Sequence, residues 1–204
     1  MNIKNYLFDF DGTLFDTQKL HAAVESELFA ENGIAMPPEE ITEKYAGIKT
    51  EAFFAELLGD EKLAKTLIAK KWEKLIPLAR TAEPLGDLHT LFSSLKAKGL
   101  LFGIGTASPL SWVEEILAIN NLTPYFSEKS IITGEMVEQG KPHPETWQRL
   151  QCGVPGENCL VVEDGVAGVF AAKAANMNYV VVGKPNDKFP EDSVFIQSVS
   201  SLIN

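Results

Sequence analysis

The patterning of the chain predicts an α/β fold, with a Rossmann-like parallel-sheet core and a helical subdomain inserted into it. Three observations carry this reading. A short apolar run, Asn5 to Phe10, ends on an acidic, glycine-containing turn. Residues from Asp16 to about Pro77 then have an unbroken helical texture. Beyond Pro84-Leu85-Gly86, strand-length apolar runs alternate with helical stretches, the pattern of a parallel sheet covered on both faces.

The elements follow in order. Leu20, Val24, Leu28 and Phe29 recur at helical spacing until Gly33 stops the run. Pro37-Pro38-Glu39-Glu40 opens a second helix, and Thr50 is placed to cap a third that contains Phe53, Phe54, Leu57 and Leu58. Gly59-Asp60 separates it from a fourth, marked by Leu63, Leu67 and Trp72. These make a helical subdomain at 16–81, within an α/β core formed by 1–15 and 82–204. In the core, Leu88, Leu91, Phe92 and Leu95 give a helix face that ends at Gly99. Leu100 to Ile104 reads as a strand, and Trp112, Val113, Ile116 and Leu117 as the next helix. A short strand at Ile131-Ile132-Thr133, a helix around Glu145 to Leu150, and a strand from Cys159 to Val162 come next. The small-residue helix Ala167 to Ala175 and a strand from Tyr179 to Val182 complete the pattern.

Composition excludes several function classes. The chain has 204 residues, 45% of them hydrophobic and 23% charged, which is ordinary globular usage. A net charge of -10 argues against nucleic acid as a partner, because phosphate backbones are bound mainly through Lys and Arg. Cys152 and Cys159 are too few and too close for a disulfide framework or a four-ligand zinc site. The longest charge-free stretch, Gly99 to Val113, is too short for a membrane span, and Met1 to Tyr6 shows no apolar signal core. The expectation is a soluble cytoplasmic protein; nothing in the pattern speaks to oligomeric state.

In open parallel sheets ligands lie beyond the carboxyl ends of the strands. Four strand ends here carry reactive groups: Asp9-Phe10-Asp11-Gly12-Thr13, then Gly105-Thr106-Ala107-Ser108, Gly140-Lys141-Pro142 and Glu163-Asp164-Gly165. Four carboxylates, a hydroxyl and a lysine therefore converge on one rim. Clustered carboxylates repel one another, and a hard divalent cation such as Mg²⁺ keeps them ionised together. A lysine, a hydroxyl and backbone N–H groups suit the oxygens of a transferring phosphoryl group. A calcium loop at Asp9 is excluded, since its glycine falls fourth rather than sixth and Leu20 stands where the last acidic ligand belongs. Gly103-Ile104-Gly105 hints at a dinucleotide fingerprint, but Ser108 occupies the place of the third glycine.

The sequence resembles the haloacid dehalogenase superfamily. Asp9-Phe10-Asp11-Gly12-Thr13-Leu14 is similar to that family's first motif, Thr106 to its second, Lys141 to its third and Glu163-Asp164 to its fourth. The helical block lies where the subgroup containing β-phosphoglucomutase and phosphoglycolate phosphatase inserts its cap. The resemblance implies a small phosphorylated metabolite as substrate and Mg²⁺ as cofactor, held by the Asp9 carboxylate, the Asp11 backbone carbonyl and Asp164. Asp9 is then the nucleophile that forms an aspartyl-phosphate, and Asp11 the general acid–base. Thr106, Ala107 and Lys141 hold the phosphoryl group, and Glu163 supports Lys141 or the metal shell. In the cap, His21 and Lys49 fall where relatives place substrate contacts, although a solvent-facing helix position suits His21 equally. The segment Ala46 to Thr50 resembles the cap's specificity loop, with Thr50 at the position of an arginine in β-phosphoglucomutase. That departure favours a phosphatase; a sugar phosphomutase and a non-catalytic phospho-ligand binder are the alternatives.

Overall fold

The computed structural model describes residues 2–203, so the first and last positions of the expected core lie outside the described residues. These residues form a six-stranded parallel sheet in the order β3-β2-β1-β4-β5-β6. The strands are β1 (Asn5–Phe8), β2 (Leu101–Gly105), β3 (Ile131–Ile132), β4 (Cys159–Glu163), β5 (Asn178–Val182) and β6 (Phe195–Ile196). β1 lies between β2 and β4, with Phe8 opposite Ile104 on one side and Val162 on the other. Side chains alternate across such a sheet, and both faces are buried. Phe8, Ile104 and Val162 enter one apolar cluster, whereas Leu7 and Val161 enter the other with Trp147, Leu150 and Met177.

The insert that follows β1 contributes four α-helices among the described residues: α1 (Gln18–Ala30), α2 (Pro38–Tyr45), α3 (Thr50–Leu58) and α4 (Glu61–Leu75). Asp60 caps α4 by accepting hydrogen bonds from the Lys62 and Leu63 N–H groups. Thr50 does not cap α3. It is the first helical residue, and its Oγ1 accepts instead from Lys71 Nζ at 3.0 Å. The chain enters and leaves this insert through two segments that run side by side, with Asp16 N–H donating to Glu83 O and Leu85 N–H to Leu14 O. The remaining helices are α5 (Leu88–Ala97), α6 (Leu110–Ile119), α7 (Glu145–Leu150) and α8 (Val166–Ala174).

The strand ends shift by one residue from the sequence reading at β2, β3, β4 and β5, and two differences are larger. β1 stops at Phe8 rather than Phe10, because the chain turns at Phe10, whose carbonyl accepts from the Leu14 and Phe15 N–H groups. β6 is two residues long with neither residue fully buried, which leaves no periodic signal in the sequence.

No helix among the described residues is long and apolar enough to cross a membrane. Close packing of α8 on the sheet depends on Gly168, whose Cα faces the Glu163 carboxylate, while its carbonyl accepts from Trp147 Nε1 at 3.0 Å. A methyl group there overlaps Glu163. In an unobstructed helix Gly→Ala gains up to about 1 kcal/mol. Here we expect Gly168→Ala to lose about 1–3 kcal/mol by overpacking, read as a lower denaturant midpoint.

Candidate active site

The turn after β1 aims two carboxylates at the rim. Asp9 extends the strand's pairing by donating its N–H to Val162 O at 2.9 Å. Gly12 adopts φ +90, and a side chain there would collide with Asp164, so the turn requires glycine. Across the rim, Thr13 Oγ1 donates to Asp164 at 3.0 Å, which fastens the first turn to the end of β4.

Lys141 is the centre of the core side. Its Nζ is buried 2.5 Å from Asp9 and 2.6 Å from Glu163, donates to Gly105 O at 3.0 Å, and lies 4.3 Å from the centroid of the Trp147 ring. Burial pulls the ammonium toward neutrality, but the two carboxylates outweigh it and hold its pKa above the ordinary lysine value. The other oxygen of Glu163 accepts from Gly165 N–H at 2.6 Å.

Asp9, Glu163 and Asp164 each present an oxygen, all within 4.8 Å of one another. Crowding shows in their electrostatics. Burial raises the Asp9 pKa well above the carboxylate range, and Glu163 and Asp164 add to this against the pull of Lys141. Asp164 is pushed up to about 7 by burial and by Glu163. Such a set of hard, mutually repelling oxygens fits a cation.

Asp11 is separated from that cluster in its environment. It accepts from Thr17 Oγ1 at 2.6 Å, Ser108 Oγ at 2.6 Å and Trp112 Nε1 at 2.9 Å, with Thr106 Oγ1 at 3.4 Å. His21 Nε2 lies 3.2 Å away, at ion-pair distance but without hydrogen-bond alignment. Burial pushes the Asp11 pKa up, but His21, Ser108 and Thr17 outweigh it and hold the carboxyl below its usual range. The Asp11 backbone carbonyl accepts from Gln18 Nε2 at 2.8 Å.

Asp9, Asp11, Thr106 and Ala107 line one cleft, whose opposite wall comes from the helical insert through His21, Glu25, Thr50 and Lys71. His21 is therefore buried in the cleft rather than solvent-facing, with its ring edge-on to Trp72 and Trp112 at centroid distances of 5.5 and 5.3 Å. Lys49 lies elsewhere, along Gly140, with its Nζ 3.5 Å from Val137 O. The partners of Asp11 and the Glu25–Lys71 pair were not assigned from sequence. From the sequence Trp112 reads only as one of the residues that mark a helix. Glu25 did carry a signal, because it lies four residues after His21 on the buried stripe of α1 that also contains Val24 and Leu28.

Residues 6–182 match the family described as haloacid dehalogenase-like hydrolase. Hexitol phosphatase B of Escherichia coli (strain K12) is 27% identical over 209 residues, spanning 96% of this chain and 92% of that protein. Among solved structures, β-phosphoglucomutase from Clostridium difficile superposes with a TM-score of 0.84 at 23% identity, covering 98% of this chain and 93% of its own. A CbbY variant from Rhodobacter sphaeroides in complex with xylulose-(1,5)bisphosphate gives 0.82 at 24%, covering 98% and 96%. At those identities the two structures establish a shared fold. With the family match spanning most of the chain, and with Asp9, Asp11, Thr106, Lys141, Glu163 and Asp164 gathered on one rim, the protein belongs to the haloacid dehalogenase-like hydrolases.

Proposed function

We propose that this protein is a Mg²⁺-dependent phosphatase that hydrolyses small phosphate monoesters, such as sugar phosphates, through an aspartyl-phosphate on Asp9. The observation that carries the reading is the set of buried Asp9, Lys141 and Glu163 with half-buried Asp164, of which Asp9 lines the cleft. It pairs an attacking oxygen with a fixed cation and with oxygens suited to a second one. The name of the hexitol phosphatase relative supports the substrate class. Asp9, Asp164 and the Asp11 carbonyl would hold Mg²⁺, with Glu163 supporting Lys141. Bound there, Mg²⁺ supplies positive charge that keeps the carboxylates ionised and stabilises the charge on the phosphoryl oxygens. The two cysteines are free thiols, one exposed and one buried, in keeping with a reducing, cytoplasmic setting.

The chain's own groups divide the work. An Asp9 oxygen attacks phosphorus as the bond to the leaving alcohol breaks. Lys141, Thr106 and the Ala107 backbone bind the phosphoryl oxygens. Asp11 gives a proton to the leaving oxygen, then takes one from the water that attacks phosphorus and breaks the bond to Asp9. In the conformation present Asp11 is an acceptor for Thr17, Ser108 and Trp112. To act as an acid it must leave those donors. Thr17 immediately precedes α1, so we propose that the helical insert at 16–81 acts as a cap whose movement is coupled to that exchange.

Asp9→Asn removes the attacking oxygen and one metal-binding charge. Release of phosphate from p-nitrophenyl phosphate with Mg²⁺ should be abolished in that variant while its circular dichroism stays unchanged. Retained turnover would falsify the mechanism. Asp11→Asn should slow turnover by roughly 10²–10⁴-fold, with a smaller loss for p-nitrophenyl phosphate than for an alkyl phosphate, whose leaving group needs the proton more. Equal losses in pre-steady-state bursts of both substrates would exclude Asp11 as the acid.

Metal removal sets a pH dependence. The Asp164 pKa is raised in the folded state to about 7. The stability it contributes is therefore complete below the unfolded carboxylate value and is lost as pH rises through about 7. In EDTA, unfolding free energy should fall between pH 5 and pH 7 by up to about 1.4 kcal/mol per pH unit for this one proton. Asp164→Asn should flatten the slope. Saturating Mg²⁺ should restore stability most at the high-pH end, because metal competes with the proton. Chemical denaturation across that pH range reads all three.

A further inference from the structure

Glu25 and Lys71 form an ion pair in the wall of the cleft that faces Asp9. Glu25 comes from α1 and Lys71 from α4, and their side chains are only 6% and 2% exposed, with Nζ 2.6 Å from Oε1. Lys71 also donates to Thr50 Oγ1 at 3.0 Å and lies 4.7 Å from the centroid of the Trp72 ring. Both members of the pair line the same cleft as Asp9 and Asp11. Among the described residues lining that cleft, Lys71 is the one Lys or Arg, and Glu25 has already neutralised it.

From this we propose that Glu25 is a specificity-determining residue. By masking Lys71 it makes the helical wall read hydroxyl groups, so the site takes phosphate monoesters whose far end is a neutral polyol and discriminates against those whose far end is a second anion. The inference rests on the phosphatase reading only for placing the phosphate at Asp9, which directs the rest of the substrate toward the insert. A polyol hydroxyl donates to the Glu25 carboxylate and accepts from Lys71 or Thr50 without separating the pair. A carboxylate or second phosphate has no proton to donate, meets the Glu25 charge, and finds its only cation committed. Selectivity of this kind comes from the repulsive element as much as from the attractive one. Neither an isolated lysine nor an apolar wall would provide it.

The test uses two ligands that differ only at C1: sorbitol 6-phosphate, which ends in CH₂OH, and 6-phosphogluconate, which ends in a carboxylate. Binding is read by tryptophan fluorescence in an Asp9→Asn background, with Mg²⁺ present. Trp72 and Trp112 flank His21 at the cleft and serve as reporters. The polyol ester should bind at least about tenfold more tightly than the acid. Adding Glu25→Gln unmasks Lys71 and should shift the ratio of dissociation constants by about tenfold or more in favour of 6-phosphogluconate. A purely structural role would weaken both ligands alike and leave the ratio unchanged, which overturns the proposal. So does equal binding, or no binding, of the two ligands to the protein that retains Glu25. If Glu25→Gln does not fold, Lys71→Met in the same background leaves Glu25 unopposed and should widen the discrimination; an unchanged or narrower ratio overturns the proposal. Phosphate release by the enzyme with Asp9 intact tests the phosphatase reading separately, and the binding ratio stands whichever way that measurement falls.

Discussion

Lys141 joins three neighbouring strands through one buried ammonium: Asp9 follows β1, Glu163 ends β4, and Gly105 O ends β2. Buried charges of this kind are tolerated only as a matched set. Removing one partner leaves an uncompensated charge, at a cost of about 3–5 kcal/mol. The carboxyl ends of β2, β1 and β4 are therefore tied together by electrostatics as well as by their ladders, and the register that pairs Phe8 with Ile104 and Val162 brings the three groups level. The glycines follow from the same constraint. Gly105 leaves room for Trp147 beside the ammonium, and Gly168 leaves room for Glu163 under α8. A catalytic centre of this charge density is held by the close packing beneath it.

Asp11 is held from both parts of the molecule. Two residues beyond Asp9, it is bound by Thr17 from the segment leading into the insert, by Ser108 from the loop after β2 and by Trp112 from α6. The carboxylate that exchanges protons in our proposal therefore sits at the joint where the insert leaves the core. Asp9, the nucleophile of our proposal, has no such link. Its partners all belong to the sheet and to the loop carrying Lys141, so the insert movement we propose would alter Asp11 while Asp9 stays fixed.

What sequence could and could not show divides along the same line. Strand ends were readable because buried parallel strands are short apolar runs, and the residues after them are constrained in type by the chemistry: Asp9, Lys141 and Glu163 lie together as those positions require. β6 left no trace because two partly buried residues give no period. The insert was read correctly as helical, from Leu20 through Trp72, yet the partners across its faces were not readable. Helical periodicity says which residues share a face but not what that face meets. Glu25 and Lys71 are 46 positions apart on different helices, and no local pattern links them. Thr50 shows the converse error, in which a residue type suited to capping was placed by propensity while a buried lysine claimed its hydroxyl.

Net charge adds a further layer to the proposed selectivity. At -10 the protein's overall field opposes any phosphate ester, so encounter must rely on local cations within a Debye length of about 8 Å at physiological salt. On the core side Lys141 is outnumbered by Asp9 and Glu163, and the Mg²⁺ of the proposed function would supply the net attraction there. On the insert side the corresponding charge is cancelled by Glu25. The cleft is thus polar at both ends but electrostatically asymmetric, with attraction for one anion at the sheet and none for a second at the helices. A ligand carrying one phosphate and an uncharged hydroxylated tail matches that asymmetry along its length, and it can enter the cleft in only one favourable direction, the one that brings its phosphorus to Asp9.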